Sequence, residues 1–158
     1  MNRPKFTVIQ GGLAAANRKN TFVSAYVTDT RLMGVLAVYA HWQVEVPASG
    51  DRLPDIHQFF YIDCEEAGLE TYQSVRGSDM EQITMTEQAL IGGLGAGKVS
   101  LTEKTLRQLL CIYRDFNDEH GLPLPENFDE YGFIFHDAPE VTEHDRKQLL
   151  SMICTEIV

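Results

Sequence analysis

From Leu32 to Val46 the sequence alternates with period two. Leu32, Leu36, Val38, Ala40, Trp42, Val44 and Val46 fall on one side, and Met33, Val35, Tyr39, His41, Gln43 and Glu45 on the other. A helix needs a repeat near 3.6 residues, so this stretch reads as a strand with one face on a core and a wetter second face. It exceeds the usual strand of about five or six residues, which predicts a bulge near Gly34. The rest of the chain must supply a sheet around this strand and a layer to cover it.

The flanking segments supply both. Phe22–Val27 has strand composition, and Thr28–Arg31 reads as a turn. Pro47–Asp51 breaks the long strand, and Pro54 extends the loop. His57–Cys64 and Leu69–Arg76 are further strands around a turn at Glu65–Gly68, and Tyr131–His136 is a fifth. Short connections favour a consecutive antiparallel meander. Helices begin at three capping-box patterns, Ser78–Glu81, Ser100–Glu103 and Thr142–Asp145, the last with aspartate in place of glutamate. The first helix turns Ile83, Leu90 and Ile91 inward and ends at the glycines after Ile91. The second is the clearest: Leu106, Leu109, Leu110, Tyr113 and Phe116 recur at helical spacing, and Glu103 faces Arg107 one turn on. The last buries Leu149, Leu150, Ile153 and Ile157.

Charge narrows the function classes. The net charge is −10 over 158 residues, and its distribution is uneven. Residues 1–20 hold Arg3, Lys5, Arg18 and Lys19 and no acid, whereas Asp115–Asp145 holds ten carboxylates and no Lys or Arg. So acidic a body repels a phosphate backbone, which argues against nucleic-acid binding by the folded part. No apolar run reaches the roughly 18 residues that span a bilayer, so no membrane partner is expected. Cys64, Cys111 and Cys154 are odd in number and far apart, which suits reduced thiols and a cytoplasmic location.

Three patterns suggest chemistry. Gly92, Gly95, Gly97 and Lys98 fit the spacing of a phosphate-binding loop, with Val99 where a magnesium-holding hydroxyl belongs and Ser100 one place late. Asp115, Asn117, Glu119 and Glu126 follow a calcium-loop spacing, although His120 stands at the glycine position. His136, Asp137, Glu140 and His144 gather metal-ligating groups within ten residues. None is complete, and there is no nucleophile elbow, so no cofactor is expected. His41 and His57 lie on separate strands, and the sequence gives no register to bring them together.

The expectation is an α+β fold: a mainly antiparallel, four- to five-stranded sheet with three helices packed largely on one face. The Leu101–His120 helix should lie over Leu36, Val38, Ala40 and Trp42. Residues 1–20 should form a flexible basic tail and 21–158 one domain. The expected function is a non-enzymatic module that binds a protein partner or itself as a homo-oligomer. The positive reason is the second face of the long strand, with Val35, Tyr39 and His41, which a bare monomer would expose. The alternative is a small nucleotide- or metal-binding enzyme using Gly92–Lys98 or the acidic 115–145 region.

Overall fold

The structure is a computed structural model that describes residues 18–29, 34–92, 97–136 and 138–153. Five strands form one antiparallel sheet in the order β4-β3-β2-β1-β5. They are β1 (Lys19–Thr28), β2 (Val35–Val46), β3 (Asp51–Asp63), β4 (Gly68–Arg76) and β5 (Lys98–Ser100). The helices are α1 (Met80–Ile91), α2 (Glu103–Glu119), α3 (Phe128–Tyr131) and α4 (Glu143–Ile153), with a 3₁₀ turn at Gly132–Phe135. The expected α+β class, antiparallel meander and strand count all hold.

Alternation decides the faces. Leu36, Val38, Ala40, Trp42 and Val44 of β2 are buried in one cluster with Leu106, Leu109, Leu110 and Tyr113 of α2, Tyr131, Ile134 and Leu149. The second helix therefore lies where its apolar stripe sends it, and α3 and α4 join it on this face. Among the described residues the opposite face carries α1 alone, over Ala37, Phe59 and Val75, with Ile83 and Ile91 pointing down. The second face of β2 is thus covered by this chain's own helix, which removes the sequence-level reason for a partner there.

Several boundaries move. β1 starts at Lys19, so residues 19 and 20 of the expected tail belong to a strand, and residues 1–17 lie outside the described residues. Leu32 and Met33 lie outside the described residues, and β2 starts at Val35, after Gly34 at φ +77°. The irregularity in its pairing with β3 comes between Trp42 and Val44, far from Gly34. β3 includes Pro54, which has no N–H to give a ladder and sits in that irregularity.

The expected fifth strand at 131–136 is instead helical. Tyr131 and Ile134 are both buried at helical spacing. The Arg107 guanidinium donates to the carbonyls of Phe133 (3.0 Å) and Ile134 (2.8 Å), satisfying groups that strand pairing would have used. The actual fifth strand, β5, is three residues long and pairs with Tyr26–Thr28.

The caps also shift. Asp79, not Ser78, caps α1 by accepting from Glu81 and Gln82. Thr102, not Ser100, caps α2, in a reciprocal box with Thr105. The Thr142–Asp145 box forms as expected: Thr142 Oγ1 accepts from the Asp145 N–H, and Asp145 Oδ2 from the Thr142 N–H. The Glu103–Arg107 pair forms at 2.9 Å. Leu149 is buried and Leu150 half-buried in the core, while Ile157 lies outside the described residues.

Candidate functional site

A seam of ionisable and aromatic side chains lies between the sheet and α1. Register explains it. The hairpin starts with Val46 opposite Asp51 and Val44 opposite Leu53. Carried on without interruption, that register would set Ile56 opposite His41. The irregularity at Pro54–Asp55 advances β3 by one residue, so His41 faces His57 and Trp42 faces Ile56. The two imidazoles stack with centroids 4.1 Å apart. The same irregularity brings Asp55 to His41, with Asp55 Oδ2 2.8 Å from His41 Nε2. Arg52 holds the other oxygen of Asp55 at 3.5 Å.

His57 is 6% exposed and both its nitrogens are engaged. Nε2 lies 3.1 Å from the Gly77 carbonyl, which can only accept, so Nε2 carries the proton. Nδ1, 2.7 Å from the Tyr39 hydroxyl, is then the acceptor, and Tyr39 the donor. Burial holds the His57 pKa below its ordinary value, with the stacked His41 adding to the effect. Tyr39 is pushed up to about 12, first by burial and then by the charges of Glu87 and Asp55. Neither side of this hydrogen bond ionises readily near neutrality.

The seam continues across the sheet. Tyr26 of β1 lies opposite Tyr39 and stacks on it at 5.1 Å, and Tyr39 meets Phe59 at 5.2 Å. The Tyr26 hydroxyl donates to Glu87 of α1, and Lys98 of β5 reaches the same carboxylate at 3.0 Å while lying over the Tyr26 ring. Burial works to raise the Glu87 pKa, but the donors Tyr26 and Lys98 outweigh it and hold the carboxylate below its usual range. Tyr26 is raised well above an ordinary phenol, chiefly by burial and then by Glu87.

The sequence-level candidates fare differently. Gly95 lies outside the described residues. Gly92 ends α1 and β5 begins at Lys98, so a helix precedes the pattern and a strand follows it, the reverse of a phosphate loop. The Gly97 amide, which should face a phosphate, donates to the Asp29 carboxylate at 2.9 Å. Lys98 is engaged by Glu87, and Ser100 is an exposed residue of β5.

Asp115, Asn117 and Glu119 lie within α2 instead of a loop, and Glu126 is exposed beyond it. Asn117 is buried and holds the start of β4: its Oδ1 accepts from the Leu69 N–H at 2.8 Å, and its Nδ2 donates to the Leu69 carbonyl at 3.0 Å. His136, Glu140 and His144 are exposed, and Asp137 lies outside the described residues. Among the described residues, no group of three or more His, Cys, Asp and Glu side chains is placed to hold a metal ion.

Reading of the residues missed Asp55, Glu87 and the histidine pairing. The one available signal was Pro54, a residue a regular ladder cannot use. No protein-family model matches the chain, and neither a curated protein nor a solved structure does. No helix among the described residues is long and apolar enough to cross a membrane.

Proposed function

We propose that this protein is a non-enzymatic interaction module whose docking surface is the outward face of α1, and that the partner it fits is a second copy of the same chain. One observation carries the reading. The exposed positions of α1 are Met80, Glu81, Gln82, Thr84, Met85, Gln88 and Ala89, with Met80 66% and Met85 65% exposed. In a chain of net charge −10, this surface bears a single charge. Methionine enrichment and depletion of charge mark the centre of protein interfaces, where polarizable, adaptable side chains repack against a partner.

Charge selects the partner geometry. Met85 sits near the middle of α1, on the side opposite the buried Ile83. An antiparallel pair of helices related by a two-fold through Met85 sets methionine on methionine and keeps the two Glu81 side chains some eight residues apart, about 12 Å along the axis. Two acidic molecules can meet there without facing carboxylates. One helix pair buries less than the roughly 1,200 Å² of a standard interface, so the dimer is weak and concentration-dependent.

Light scattering over a concentration series tests this. The mass should rise toward twice the monomer, and Met85→Lys should return it to the monomer value with stability changed by less than about 0.5 kcal/mol. A clean monomer at the highest concentration, or a dimer indifferent to Met85→Lys, overturns the reading.

A further inference from the structure

The contacts of the stacked histidines reach beyond the sheet. His57 is bound to Gly77, which has φ +97° and leads directly into Asp79, the cap of α1. Gly77 is also held by its own N–H, which donates to the Asp55 carbonyl at 2.8 Å. The turn that launches α1 is therefore fastened to β3 at two points, one an imidazole. The groups around that imidazole are Tyr39 and His41 from β2, Asp55 from β3, which Arg52 also holds, and the Gly77 carbonyl before α1, while Glu87 of α1 acts on Tyr39.

We propose that the His41–His57 pair is an acid-sensitive latch: while His57 is neutral it ties the Gly77 turn to the sheet, and a second positive charge on the pair loosens the amino end of α1. The geometry gives two reasons. First, protonating His57 at Nδ1 reverses the bond to Tyr39. The tyrosine oxygen must then accept, and its own hydrogen is displaced from a half-buried position. Second, one carboxylate serves two imidazoles. Asp55 stands on His41 and is already shared with Arg52, so a charge on His57 meets a stacked ring 4.1 Å away with no carboxylate of its own.

The sign follows from linkage. A histidine whose folded-state pKa is depressed binds more protons unfolded. Its contribution is intact above the unfolded value of about 6.5 and is lost as pH falls through that value toward the folded one. This inference concerns how α1 is attached and does not rest on what α1 docks against.

Amide hydrogen exchange, corrected for intrinsic rates, tests it on the full chain at a dilution where light scattering reads the monomer mass. Protection at the start of α1 should fall between pH 7.5 and pH 5.5, about tenfold for each pKa unit by which the second charge is disfavoured, while α2 keeps its protection. His57→Gln can still donate to Gly77 and accept from Tyr39 but does not titrate there, and it should abolish the pH dependence. His41→Gln removes the stacked imidazole that disfavours the charge, so the folded-state pKa of His57 moves back toward its unfolded value and the loss should become smaller, with its onset unchanged. Protection that is the same at both pH values, a loss that survives His57→Gln, or a loss undiminished in His41→Gln overturns the latch. If His57→Gln fails to fold, the size of the loss in His41→Gln decides alone.

Discussion

The two faces of the sheet are held by different means. On the α2 side, Trp42, Phe60, Tyr131, Leu106, Leu109 and Leu110 are all under 2% exposed, and the polar groups among them are fully used. Trp42 donates to Gln58 at 2.8 Å, Gln58 donates to Tyr72, and Tyr72 and Ser74 donate to Glu130. On the α1 side, the apolar cluster among the described residues is five buried side chains, and much of the remaining contact is the seam of tyrosine, histidine and carboxylate. Apolar burial does not depend on pH or direction, whereas the seam depends on which atom carries each proton. One face of the sheet therefore serves as the anchor, and the other bears a helix that can be released.

That contrast can be broken by substitution. Trp42→Ala should cost about 3–5 kcal/mol, because it opens a cavity in the larger core and strands the Gln58 acceptor. Ile83→Ala should cost about 2 kcal/mol, at the low end for a buried aliphatic, since Ile83 is 7% exposed and its neighbours can relax into the space. Glu87→Gln should cost less than about 1 kcal/mol, because its pair with Lys98 is partly solvated and an amide can still accept from Tyr26. Chemical denaturation of the three variants ranks them. If Ile83→Ala proved as costly as Trp42→Ala, the two faces would be equivalent anchors and the contrast would fail.

The larger face was legible in the sequence and the smaller was not, for a physical reason. Period two in β2 and the helical stripe of α2 are local, strong and redundant, and a core that buries both follows from them. The same local reading found the Glu103–Arg107 pair and the Thr142–Asp145 box, because both partners lie within one turn. The histidine pair depends on a one-residue register shift at Pro54–Asp55, between strands whose alternation alone does not specify it. The helical run at 131–135 has strand-like aromatic composition and is settled by Arg107, more than twenty residues earlier. Gly92–Lys98 shows the converse: a motif spacing is present, but a helix precedes it and a strand follows it. Its glycine at position 97 is explained by Asp29, whose carboxylate would stand 2.6 Å from any Cβ there.

Asn117 has a consequence for life in a crowded solution. β4 is the last strand at its end of the sheet, where unpaired backbone groups would offer a template to any passing chain. At Leu69 the amide of Asn117 occupies both backbone groups, as one residue of a further strand would. Gly68 makes room for it, since a Cβ at that position would stand 2.0 Å from the amide oxygen. A single helical side chain thus closes the start of this edge against fibril-like growth, within the same core that anchors the fold.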